Sequence, residues 1–168
     1  KYVNGYKSKV RNRRPVIARR GIHQSPPGDQ YFKGALFLNT LRNVLDDDRK
    51  WWALVREAYQ HFKYQSIRTE DLVQLFNKRF EVELTPIFDQ YLRHAGLPVL
   101  ELVFDEAAGS VAYRWKADDA DFAMPIRVGD PKAWRKITPT VQWQTLPPPL
   151  GKEGFKVATD LYFVKVTK

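Results

Sequence analysis

The 168-residue chain has no cysteine, which excludes a disulfide framework and a thiolate metal site. It has no apolar run near the roughly 18 residues that a bilayer-spanning helix requires and no signal-like apolar segment; the compartment stays open. Histidine is scarce. His23, His61 and His94 stand alone with no partner at i+4, so the H-E-x-x-H pattern that sets two zinc ligands on one helix face is missing. Each reads as a helix or loop residue rather than a ligand. No Ser/His/Asp order and no Gly-rich phosphate loop suggests another chemistry. Acid is absent from residues 1–20, which hold eight Lys/Arg, whereas residues 21–99 balance ten against ten. Nearly all of the net +9 therefore sits in a leading arm.

What is present suits a folded protein. Hydrophobic residues make up 43% of the chain, with 5 Trp, 8 Tyr and 10 Phe, enough for a packed core and against wholesale disorder. Breakers at Arg14-Pro15 and Ser25-Pro26-Pro27-Gly28 mark residues 1–28 as an irregular basic arm. Helical spacing then predicts four helices with short connections. In the first, Tyr31, Gly34, Ala35, Leu38, Leu41 and Leu45 form the apolar stripe. Asp46-Asp47-Asp48 reads as the charged start of the second, where the macrodipole favours acid, and not as a hard-metal loop, whose spacing it lacks. The second runs to about Phe62 with Trp51, Val55, Ala58, Tyr59 and Phe62 as its stripe. Thr69-Glu70-Asp71 and Thr85-Pro86 start the third and fourth.

Past Gly96-Leu97-Pro98 the period drops to two. Residues 99–104 and 110–116 read as a hairpin, with further strands at 122–128, 140–146 and a long one at 155–166. The expected fold class is α+β: an antiparallel helical array over 29–97, then a small antiparallel β-sandwich over 98–168.

Tyr31-Phe32-Lys33-Gly34-Ala35, then Leu38-Asn39-Thr40-Leu41-Arg42, then Asp46-Asp47 with Trp51 and Trp52, stand in a telling order. With Leu84-Thr85-Pro86-Ile87-Phe88-Asp89-Gln90-Tyr91-Leu92 and Gly96-Leu97-Pro98-Val99-Leu100, they resemble the membrane-alanyl-aminopeptidase family of zinc metallopeptidases (gluzincins). The resemblance covers about residues 25–105. It implies an enzyme in which an H-E-x-x-H helix and a later Glu hold zinc, and a tyrosine in the Tyr-x-Lys-Gly segment hydrogen-bonds the oxyanion. By that match the tyrosine is Tyr31, and no metal ligand lies in this chain. A neutral phenol there would donate a hydrogen bond that strengthens as charge develops on the carbonyl oxygen. By position alone, Tyr31 reads as a core aromatic at a helix start; the extended match reverses that reading. Gly34 is expected to serve close packing and Lys33 to be a solvated charge; Arg42 is a candidate for a buried pair.

The resemblance implies the C-terminal part of a zinc aminopeptidase that acts on peptides, with the zinc-bearing part upstream in the same protein; a chain beginning at Lys1 without Met suits this. Such a piece is expected to be inactive alone and to expose an apolar patch where its neighbour docks. Two other readings stay open. Tyr2, Tyr6 and the basic arm could contact phosphates and bases of a nucleic acid, or the chain could be a non-catalytic interaction domain.

Overall fold

In the computed structural model, residues 2–18, 21–23, 25–146 and 154–168 are described; the expected Pro147-Pro148-Pro149 separator lies outside them. Five helices precede seven strands in chain order: α1 (Tyr2–Lys7), α2 (Asp29–Leu45), α3 (Asp48–Phe62), α4 (Thr69–Asn77) and α5 (Thr85–Leu92), then β1 (Val99–Asp105) to β7 (Lys165–Thr167). The class is α+β, as expected. Helix α1 stands inside the arm expected to be irregular.

The apolar stripe of α2 has a different phase from the expected one. Leu36, Phe37, Leu41 and Val44 face the core, while Tyr31 and Leu38 are exposed. The helix carries apolar residues on both sides, so spacing alone cannot choose which side is buried. Phe37 stacks on Tyr91 of α5 at 4.8 Å and meets the edge of Phe88 at 5.0 Å. On α3, Trp51 and Leu54 are buried, whereas the expected stripe members Val55 and Tyr59 are exposed.

The three aspartates divide their tasks. Asp46 ends α2 in the left-handed region at φ 59°. Asp47 caps α3 by accepting the Lys50 N–H at 3.0 Å. Asp48 opens α3 and forks onto Arg42 at 2.8 and 2.6 Å. That pair lies at the surface, not buried.

β1 and β2 (Ser110–Lys116) form the expected hairpin, with Val99 opposite Lys116 and Asp105 opposite Ser110. β5 (Gln144–Leu146) adds to β2, and β7 adds to β1 in parallel, so the sheet is not purely antiparallel. A second sheet orders β4 (Ala133–Ile137), β3 (Ile126–Asp130) and β6 (Lys156–Val157). Its first hairpin turns at Pro131-Lys132, between the paired Asp130 and Ala133, and next to the turn Gly129 has a φ of +103°, which favours glycine.

Residues 158–164 leave the sheets and lie against the helices. The Phe163 N–H donates to Thr40 Oγ1 at 2.9 Å, and the Leu161 carbonyl accepts from Asn39 at 3.0 Å and Asn43 at 3.2 Å. These bonds satisfy backbone that no strand partner reaches. They break the expected long strand in two. Helices and sheets share one apolar core, to which Trp115 contributes a buried ring with its indole N–H on the Met124 carbonyl at 3.1 Å.

Candidate functional site

Tyr31 sits in the first turn of α2 and is 71% exposed. It is not the core aromatic that position alone allowed. Ala35, Leu38 and Arg42 follow at intervals of three and four, so they share its side of the helix. Arg42 also lies over the ring of Trp52, 5.6 Å from its centroid, which joins this face to the outer side of α3. There Trp52, Val55 and Tyr59 are exposed at helical spacing. Exposed apolar residues thus stand on the outer sides of two helices, with Arg42 between them. Beside Arg42, where α2 passes into α3, opens a polar cleft of about 420 Å³ lined also by Asn39, Asn43 and Arg127. Its charges are matched: Arg42 pairs with Asp48, and Arg127 with Asp46.

Two residues on from Tyr31, about 200° around the helix, Lys33 is wholly buried. This overturns the expectation of a solvated charge. Its ammonium donates to the His94 and Ala95 carbonyls at 3.0 and 3.1 Å, just past the end of α5. A cation there meets the negative end of the helix dipole. Burial pushes the Lys33 pKa down to about 8, opposed by the charges of Asp29 and Asp118. Asp29, one turn earlier on the same side, is also buried and accepts the Arg11 and Asn12 N–H groups at 3.0 and 2.7 Å.

Gln90, buried on α5, completes this polar hub. It donates to the Gly96 carbonyl at 3.2 Å and to Asp118 at 3.0 Å, and its own oxygen accepts the Asp118 N–H at 2.7 Å. The sequence reading missed Asp29, Gln90 and Asp118; the signal available was one acid and one lysine at i, i+4 at a helix start. Gly34 does not pack closely against the described residues, since a Cβ there would meet none of their atoms within 4 Å.

His23, His61 and His94 are not brought together. Among the described residues no three His, Asp or Glu side chains gather in a way that could hold a metal ion, so the donor set does not fit zinc. Among them, too, no helix is long and apolar enough to cross a membrane.

No model of a known protein family matches the chain, and no curated protein matches it. Among solved structures it is similar to the aminopeptidase A of Legionella pneumophila, crystallised in complex with aspartic acid. The TM-score is 0.61 at 12% identity, over 94% of this chain and 20% of that one. The likeness shows a shared fold with part of a peptidase. The chain spans about a fifth of that protein's length.

Proposed function

We propose that this chain is the C-terminal part of a zinc-dependent aminopeptidase of the gluzincin type, comprising the helical end of the catalytic domain (29–97) and a β domain (98–168). The supporting observation is the fold shared with an aminopeptidase over 94% of the chain, joined to a tyrosine held outward at a helix start. The zinc ligands belong to another part of the same protein, and the chain alone is inactive. Its contribution to peptide hydrolysis is the phenol of Tyr31, which donates to the oxyanion as the scissile carbonyl is attacked. The bond forms fully only as charge builds, which is what makes it catalytic. The face that exposes Tyr31, Leu38, Trp52, Val55 and Tyr59 is the surface on which the rest of the catalytic part and the peptide lie.

The test is Tyr31→Phe in the full-length protein, assayed on aminoacyl p-nitroanilides. Turnover is expected to fall by about 10²–10³, as for other oxyanion donors, with KM little changed. Undiminished turnover removes Tyr31 from the mechanism.

A further inference from the structure

Helix α2 starts without a side-chain cap: Gly28 precedes it in a helical conformation and supplies no side-chain hydrogen bond. Only backbone bonds close the first turn, the Gln30 N–H donating to the Pro27 carbonyl at 3.0 Å and the Tyr31 N–H to the Gly28 carbonyl at 3.4 Å, and a turn without a side-chain cap frays readily. Tyr31 stands in that turn with its ring in solvent, and nothing but the backbone of the turn sets where its hydroxyl lies. Two other side chains of the same segment do hold the turn, both from its buried side. Lys33 fastens it to the carbonyls of His94 and Ala95, and Asp29 fastens it to the backbone of Arg11 and Asn12. The segment reached by Lys33 is in turn fixed by Gln90, through Gly96 and Asp118.

We propose that Lys33 is a positioning residue for Tyr31: by anchoring the uncapped first turn of α2 to the loop after α5, it sets the place of the phenol that faces the substrate. The proposal rests on the aminopeptidase reading of Tyr31. Lys33 itself touches no substrate, being enclosed on the opposite side of the helix. Its effect is geometric, and a displacement of about 1 Å at a catalytic group is enough to cost on the order of 10²-fold in rate.

The experiment is a double-mutant cycle in the full-length protein with Lys33→Met, Tyr31→Phe and both together, assayed on an aminoacyl p-nitroanilide. Amide hydrogen exchange of the peptide over 29–35 is followed in parallel. Lys33→Met is expected to lower kcat by about 10- to 100-fold with KM within about threefold of wild type, and to speed exchange over 29–35 at least tenfold. In the Tyr31→Phe background the same change is expected to cost kcat less than about twofold, because the group it positions is gone. An equal loss in both backgrounds, or unchanged exchange over 29–35, overturns the positioning role. If Tyr31→Phe alone leaves kcat unchanged, Tyr31 has no part in the mechanism and this proposal falls with it; if the full-length wild-type protein does not cleave the substrate, the aminopeptidase reading falls. Should Lys33→Met not fold, Asp29→Asn loosens the same turn from its other anchor and is held to the same non-additivity.

Discussion

The hydroxyl of Tyr91 donates to the carbonyl of Phe163 at 2.8 Å, seventy-two residues away and fully buried. With the Phe163 N–H on Thr40, both backbone groups of one residue are satisfied by side chains of two helices. The segment just before β7 is thereby fixed to the helical part without a strand partner. Tyr91→Phe keeps the ring and its stacking on Phe37 but leaves the carbonyl of Phe163 buried and unpaired. We expect a loss of about 1–3 kcal/mol in urea unfolding. Thr40→Val should cost about as much, and a loss below about 0.5 kcal/mol in both would mean that water replaces these bonds.

Lys33 makes stability depend on alkaline pH with a definite sign. Its folded pKa is about 8, against about 10.4 in an unfolded chain. Between these values the unfolded chain holds a proton that the folded chain lacks, so stability rises with pH, by up to about 1.4 kcal/mol per unit. Lys7, lowered by burial, adds in the same direction. Above about pH 10 the sign reverses, because burial raises the pKa of Tyr91 and pushes that of Tyr162 up to about 12. The folded phenols then keep protons that the unfolded ones lose at about 10. Thermal unfolding should therefore show a stability maximum near pH 10, and Lys33→Met should flatten the rise below it. A monotonic fall from pH 8 would mean that Lys33 remains charged when folded.

The basic arm is joined to the body at several points. Lys7 donates to the Thr159 carbonyl, Lys9 lies over the ring of Phe32 at 4.8 Å, and the Ile17 N–H donates to the Leu92 carbonyl at 2.9 Å. An arm held this way should resist trypsin over residues 7–14 despite its lysines and arginines, and Asp29→Ala should speed cleavage there at least tenfold. The same experiment bears on the nucleic-acid reading. With part of its charge committed to the fold, the arm should not retain a single-stranded oligonucleotide at about 150 mM salt. Tight binding that falls steeply with salt and is lost on deleting residues 1–20 would favour that reading.

How far the sequence carried the fold depends on whether an element is specified locally. The β1–β2 hairpin was legible because alternation and a turn containing Gly109 agree. β4 was not, because Ala133-Trp134-Arg135-Lys136-Ile137 is largely exposed and shows no clean alternation. The run at 155–166 is largely apolar, but Leu161, Tyr162 and Phe163 in its middle are apolar in order to meet the helices, which no local pattern discloses. Lys33 is the sharpest case. A lysine near the start of a helix reads as solvated until carbonyls 61 and 62 residues away arrive beside it. Tyr31 was legible as a residue of interest only through the order of motifs around it; its exposure came from the phase of a helix that is apolar on both sides.

Gly34 offers a test that separates this chain's own requirements from those of whatever covers α2. Glycine in a helix interior costs about 1 kcal/mol relative to alanine, and here an added Cβ meets no atom of the described residues within 4 Å. Gly34→Ala should stabilise this chain alone by about 0.5–1 kcal/mol. If the rest of a catalytic domain or a bound peptide approaches the face that carries Tyr31, Ala35 and Leu38, the same methyl group should lower the activity of the full-length protein while raising the stability of this chain. A gain in stability with full activity would mean that nothing comes close at Gly34. A loss of stability in the chain alone would mean that its own backbone or side chains already fill that space.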